Sequence, residues 1–230
     1  MRLLVAAGTL AIGLLLSACG DDRDPGDGTR IDPEPRVSEH VPTSGAGAGA
    51  AGSYDLVFES GADVANCIGV VEGVSIEEVL ERYGADTGRE LDPESDAAYG
   101  FSIAAVAVDG GVVTVEPNGF QCSRPKKLQR VADGHPAASV FWNVESDNAF
   151  TLVRPGRPPV SVDLYDAFPE MGTPDVTEVG LPKGLQALWQ EAGSAEVEPW
   201  AAGLAMVEKT TGIVVPREAV EAPGPLYLLR

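Results

Sequence analysis

Apolar residues along this chain recur at two different periods, and the change from one to the other marks out its elements. Residues 67–72 (CIGVVE) are almost continuously apolar and read as a strand. After Gly73 the spacing becomes helical, with Ile76, Val79, Leu80 and Tyr83 forming one stripe over residues 75–83. Ser75 is placed to cap that helix, Glu77 and Glu78 lie in its first turn, and Gly84 stops it. Residues 85–98 follow neither period and read as a polar loop. Residues 99–108 and 112–116 are apolar and β-branched, and Asp109-Gly110-Gly111 between them supplies turn residues suited to positive φ, so the pair reads as a hairpin.

Pro117-Asn118-Gly119 is a second turn. A short basic helix over 123–132 follows, with Ser123 as its cap, Pro125 in its first turn, Leu128 and Val131 facing inward, and Asp133-Gly134 at its end. Residues 138–144 (ASVFWNV), 149–153 and 160–164 read as three more strands. The first carries bulky residues on both faces, as a central strand covered on both sides does. Two helices close the chain: 184–192 with Leu185, Leu188 and Trp189, and 199–211 with Trp200, Leu204, Val207 and Thr211. Strands in the middle and helices toward the ends predict an α+β fold, one domain over residues 54–230 with a mostly antiparallel sheet covered on one face by helices. Those 177 residues suffice for one core burying about 70% of the chain's surface.

The first 53 residues have a different character. Residues 3–16 are largely apolar, but as a helix they would span only about 21 Å, short of the roughly 30 Å hydrocarbon core. They fit an export leader better than a permanent span. Arg2 gives the leader its positive end, and Leu16-Ser17-Ala18-Cys19 resembles a bacterial lipoprotein signal: 1–18 would be removed and the Cys19 thiol would carry the lipid. The alternative is an ordinary secretory leader and a free protein. Several acyl chains together give stable anchoring where one does not. Residues 19–53 then hold the lipidated cysteine and an acidic, Gly/Ala-rich tether with seven acidic and three basic residues. Such a segment reaches about 30 Å, placing the domain on the outer face of a cell membrane, clear of the bilayer. Asp22, Asp24 and Asp27 do not make a calcium loop, since Pro25 and Gly26 interrupt the ligand positions.

Charge narrows the partners further. The chain carries −19, and loss of Arg2 with the leader takes it to −20. That field repels phosphate backbones, so nucleic acid is not an expected partner, nor does the folded part adhere directly to anionic lipid. Basic patches and cations remain compatible, and acidity by itself also keeps a protein soluble. With Cys19 assigned to lipid, Cys67 and Cys122 remain in an oxidising compartment, where they either pair or stay as two buried thiols.

A search for reactive constellations returns little. There is no G-x-S-x-G, no phosphate-binding Gly-rich loop before a helix, no HExxH and no CxxC. Only His40 and His135 could serve a histidine-based device, and His40 lies in the tether. No metal or cofactor is expected. The candidate ligand-contacting residues are Glu116, Asn118, Trp142 and Asn143. Glu116 could work with Glu145 or Asp147 as a pair of carboxylates. Its ordinary reading is a surface residue closing a hairpin or an acceptor for donors in its own turn. Asn143 reads equally as an amide satisfying nearby backbone, and Trp142, Trp189 and Trp200 as core.

The segments EPNGF (116–120) and SVFWNV (139–144), with the CIGVVEG strand, the EEVL and YG pieces of the first helix and the 203–212 stretch, make the chain similar to an actinobacterial family known only as a domain of unknown function. The resemblance spans most of 66–220. It implies a high-GC Gram-positive envelope setting and carries over no activity, cofactor or catalytic residue; the lipoprotein leader and Cys122 depart from the family's usual form. Three readings follow: a non-catalytic binding or interaction module with an unnamed protein or small-molecule partner, a carboxylate-dependent hydrolase of envelope polymers, or a solute-binding lipoprotein. The first is preferred, and the third needs two lobes around a cleft.

Overall fold

Runs that are apolar on both faces become the middle of the sheet. In the computed structural model, residue 54 and residues 65–92, 101–164, 176–192 and 198–230 are described, all within the compact unit 45–230. The leader and the tether to Ser53 lie outside the described residues, as do 93–100 of the expected loop and hairpin.

Among the described residues eight strands form one antiparallel sheet: β1 (Asn66–Glu72), β2 (Ala85–Leu91), β3 (Ser102–Val108), β4 (Gly111–Pro117), β5 (Ala137–Trp142), β6 (Asn148–Val153), β7 (Val160–Asp163) and β8 (Leu226–Leu229). Their order is β2-β8-β3-β4-β1-β5-β6-β7. The β3–β4 hairpin closes through Asp109 and Gly110, and Gly110 takes a φ of 89°. The described residues also form five helices: α1 (Ile76–Tyr83), α2 (Pro125–Ala132), α3 (Gln186–Ala192), α4 (Pro199–Thr211) and α5 (Arg217–Glu221). The α+β expectation holds. The described residues make one sheet with its helices rather than two lobes, and none of their helices is long and apolar enough to cross a membrane.

Helices cover both faces of the sheet, not one. Ile68 and Val70 on β1, in register with Val115 and Val113 on β4 and with Val140 and Ala138 on β5, face α3, α4 and α5. Cys67, Val71, Val112 and Ala137 face α1 and α2. Strands buried twice must be apolar at successive positions. Helix α4 is buried nearly all round from Ala201 to Val207, broader than the stripe its spacing suggests. It lies close enough to the sheet that a Cβ on Gly203 would stand 2.5 Å from Val140 Cγ2.

Local signals set several ends. Ser75 Oγ accepts from Glu78 N–H while Glu78 accepts from Ser75 N–H, a reciprocal cap, and Gly84 closes α1 in the left-handed region. Three details depart from expectation. Residues 85–91 form the edge strand β2, paired with β8, and not a loop; an edge strand shows charge to solvent, which erases the alternation that sequence reading needs. Gln121–Ser123 is a 3-10 turn, so Ser123 does not cap α2; Arg124 holds that place and Pro125 is its first residue. α5 and β8 were not anticipated.

Candidate functional site

Glu116 is the penultimate residue of β4, in register with Cys67, on the face that α1 and α2 cover. Pro117 and Asn118 carry the turn after it, with Asn118 at a φ of 54° and Gly119 N–H donating to Glu116 O, the pattern of a type II turn. Gly119 has a second role: a Cβ there would sit 2.9 Å from Glu116 Oε2, so only glycine lets the carboxylate fold under the turn. The chain then enters the 3-10 turn, and Gln121 N–H donates to Glu116 Oε2 at 2.8 Å. The Cys67–Cys122 disulfide, with Cα atoms 5.8 Å apart, pins that turn to β1.

The result is a carboxyl group with 0% exposure. Burial pushes Glu116 from 4.5 up to about 7, against the opposing pull of the Gln121 and Cys122 amides and the Lys127 charge. Tyr83, fully buried at the end of α1, is held above the ordinary phenol range by burial and by the Glu116 charge. Gly69 makes room here, since a Cβ would meet Thr114 Oγ1 at 2.7 Å and Tyr83 Oη at 3.5 Å. Glu116 Oε1 is buried without a hydrogen-bond partner among the described residues, and Tyr83 Oη is buried beside the Thr114 hydroxyl. Lys127 crosses between them and the surface: Nζ donates to Tyr83 O at 2.6 Å and lies 5.4 Å from the Tyr83 ring centroid. The donor atoms of Cys67, Glu116 and Cys122 lie within 4.8 Å of one another, but both sulfurs are spent in the bridge and supply no thiolate for a metal.

Outward from this buried cluster the sign of the surface reverses. A cleft of about 430 Å³ is lined by Arg124 at the N-cap of α2, by Lys126, Lys127 and Arg130 on that helix, and by Arg230, Gln121 and Phe101. Five of the twelve basic residues in 54–230 meet there. Arg124, Lys126 and Lys127 stand at the helix end whose dipole is already positive, and no acidic residue occupies that first turn. Burial, then Arg130 and Arg124, hold Lys127 below its ordinary value, against Glu116. Arg230 pairs with Asp86 at 2.6 Å, whereas Lys126 and Arg130 have no ion pair among the described residues. Phe101 on the rim is 61% exposed.

The other candidates do not join Glu116. Trp142 points to the opposite face, buried, with its ring 5.7 Å from that of Trp200; Trp189 is buried on that face as well. Asn143 organises the β5–β6 connection: Oδ1 accepts from Glu145 and Asp147 N–H, and Nδ2 donates to Asp147. Glu145 and Asp147 are exposed. Asn118 is exposed, its N–H donating to Ala65 O. His135 is half-buried beside Gly73 and partly offsets the upward push of burial on Glu72. Sequence reading missed Tyr83 and Lys127: Tyr83 belonged to an apolar stripe, and the RPKKLQR run announced charge without showing what it would surround.

No curated protein and no solved structure matches the chain. A family model does: the one described as a family of unknown function (DUF6461) matches residues 54–223, and the chain belongs to that family.

Proposed function

We propose that this protein is a non-catalytic binding module, held on the outer face of a cell membrane by lipid on Cys19, and that it binds an anionic ligand in the cleft over α2. One observation carries the reading: in a chain of net charge −19, five cations converge on a single cleft and four of them, all but Arg230, lack an ion-pair partner among the described residues. Like charges gathered at the positive end of a helix repel one another, and a bound anion relieves that repulsion. The acidic remainder of the surface repels polyanions, which favours a small ligand or a short acidic segment over nucleic acid.

Isothermal titration of the mature chain with tripolyphosphate at low salt tests the site. Saturable binding is expected, weakened about tenfold by the double substitution Lys126→Glu and Arg130→Glu and reduced by added salt. Equal binding by both proteins would refute the site. Palmitate incorporation that vanishes in Cys19→Ser supports the anchor; a leader that stays uncleaved and unlabelled refutes it.

The carboxylate-dependent hydrolase remains a second reading because Glu116, raised to about 7, has the proton affinity of a general acid. It ranks lower because that carboxyl is sealed under the 121–123 turn and its nearest charged partner is Lys127 rather than another carboxylate.

A further inference from the structure

A second cleft, of about 320 Å³, opens at the end of β6, between the last turn of α4 and the 3-10 turn Lys183–Leu185. Its walls are mainly apolar, with Leu152 and Val153 from β6, Leu185, Pro182 and Ala137. Two cations stand in it, Arg154 and Lys209, and no Asp or Glu among the described residues lines it. Arg154 is held in place by the bond from Nη2 to Gly180 O at 3.0 Å, and its Nε is buried without a partner among the described residues. Lys209 is exposed on α4 and makes no ion pair among the described residues.

These features select one ligand chemistry. Apolar walls gain nothing from a compact polar anion, and a neutral hydrocarbon leaves the Arg154 and Lys209 charges beside it without a counter-charge. A molecule with an apolar body and an anionic head satisfies both. A cavity of ~150 Å³ holds the six carbons of benzene, so this cleft holds a chain of about ten carbons. We propose that it binds a medium-chain carboxylate, the acyl chain lying against Leu152, Val153 and Leu185 and the carboxylate seated between the Arg154 guanidinium and Lys209 Nζ. Guanidinium suits this role because its donors are fixed in a plane and it stays charged when partly buried. The site is separate from the α2 cleft, with which it shares no lining residue among the described ones.

The test uses the mature chain with Cys19→Ser, which removes the protein's own lipid and the need for detergent, and decanoate as the probe. Calorimetry or ligand-observed NMR is expected to show saturable binding of one decanoate per chain. Methyl decanoate, which keeps the chain and loses the charge, and butyrate, which keeps the charge and loses the chain, should each bind at least about tenfold more weakly. Arg154→Gln and, as a surface change that leaves the fold untouched, Lys209→Gln should each weaken decanoate several-fold without altering methyl decanoate. Lys126→Glu with Arg130→Glu should leave decanoate binding unchanged. Absence of saturable binding, equal affinity for acid and ester, or indifference to both Arg154→Gln and Lys209→Gln would overturn the assignment.

Discussion

Replacing Glu116 by Gln should make the protein more stable at neutral pH and remove a specific pH dependence. In the fold this carboxyl is raised from 4.5 to about 7 because burial strips water from its ionised form. The folded chain therefore holds a proton that the unfolded chain releases near pH 4.5. Stability from this group is fully present below that pH and is lost as pH rises through the interval to about 7, since there the folded state binds more protons. Each tenfold change in proton affinity is about 1.4 kcal/mol, so the ionised carboxylate costs the fold about 3 kcal/mol above pH 7. Gln keeps the shape and the oxygen that accepts from Gln121 N–H, and it never ionises.

Urea unfolding of both proteins at intervals from pH 4.5 to 8 measures this directly. The mutual repulsion of the acidic surface acts on the two alike and cancels in their difference. That difference should be small at the acid end, grow in favour of Glu116→Gln through the interval, and level off above pH 7. Parallel curves across the range would show that Glu116 is solvated or paired in the fold, and the description of a sealed carboxyl would be wrong.

Reducing the Cys67–Cys122 bridge, which closes a 55-residue separation, should cost about 4 kcal/mol in the chain-entropy picture; thermal melting with and without a thiol reductant reads this as a lowered midpoint, and an unchanged midpoint would deny the bridge a stabilising role. Gly203→Ala should cost about 1–3 kcal/mol, because the new methyl would collide with Val140 and stand 3.0 Å from Leu164. Its urea midpoint should fall although alanine is the better helix former.

Those particular positions also show how far the sequence could be read. The β3–β4 hairpin and helices α1 and α4 were legible because their signals are local: a turn with glycine between β-branched runs, a reciprocal cap, a proline at a helix start. The second layer of helices was not read, although its trace was present. CIGVVE and VVTVE are apolar at successive positions, as ASVFWNV is, and only strands covered twice can afford that. β2 escaped because the sheet edge leaves Thr87, Gly88, Arg89 and Glu90 exposed, and pairing to β8 runs through backbone that no side-chain period records. Glu116 was legible as a candidate and as an acceptor near its own turn. Its burial was not, because the cover comes from α1 and α2, brought over it by long-range packing and by a disulfide whose partner lies on another strand.

That disulfide links the buried cluster to the surface above it. It fixes the 121–123 turn, whose amides hold Glu116 on the inside and whose continuation, Arg124 to Arg130, carries four of the five cations of the α2 cleft. Glu116 and the cleft should therefore respond differently to two perturbations. Glu116→Gln removes a charge that faces inward and leaves the turn in place, so it should change stability while tripolyphosphate affinity stays within a factor of about two. Breaking the bridge frees the turn, lets like charges move apart, and should weaken tripolyphosphate binding even under conditions where circular dichroism shows the sheet intact. Binding that survives reduction unchanged would mean that α2 is positioned by Leu128 and Val131 packing alone, and that the bridge and the cleft are independent features of the same face.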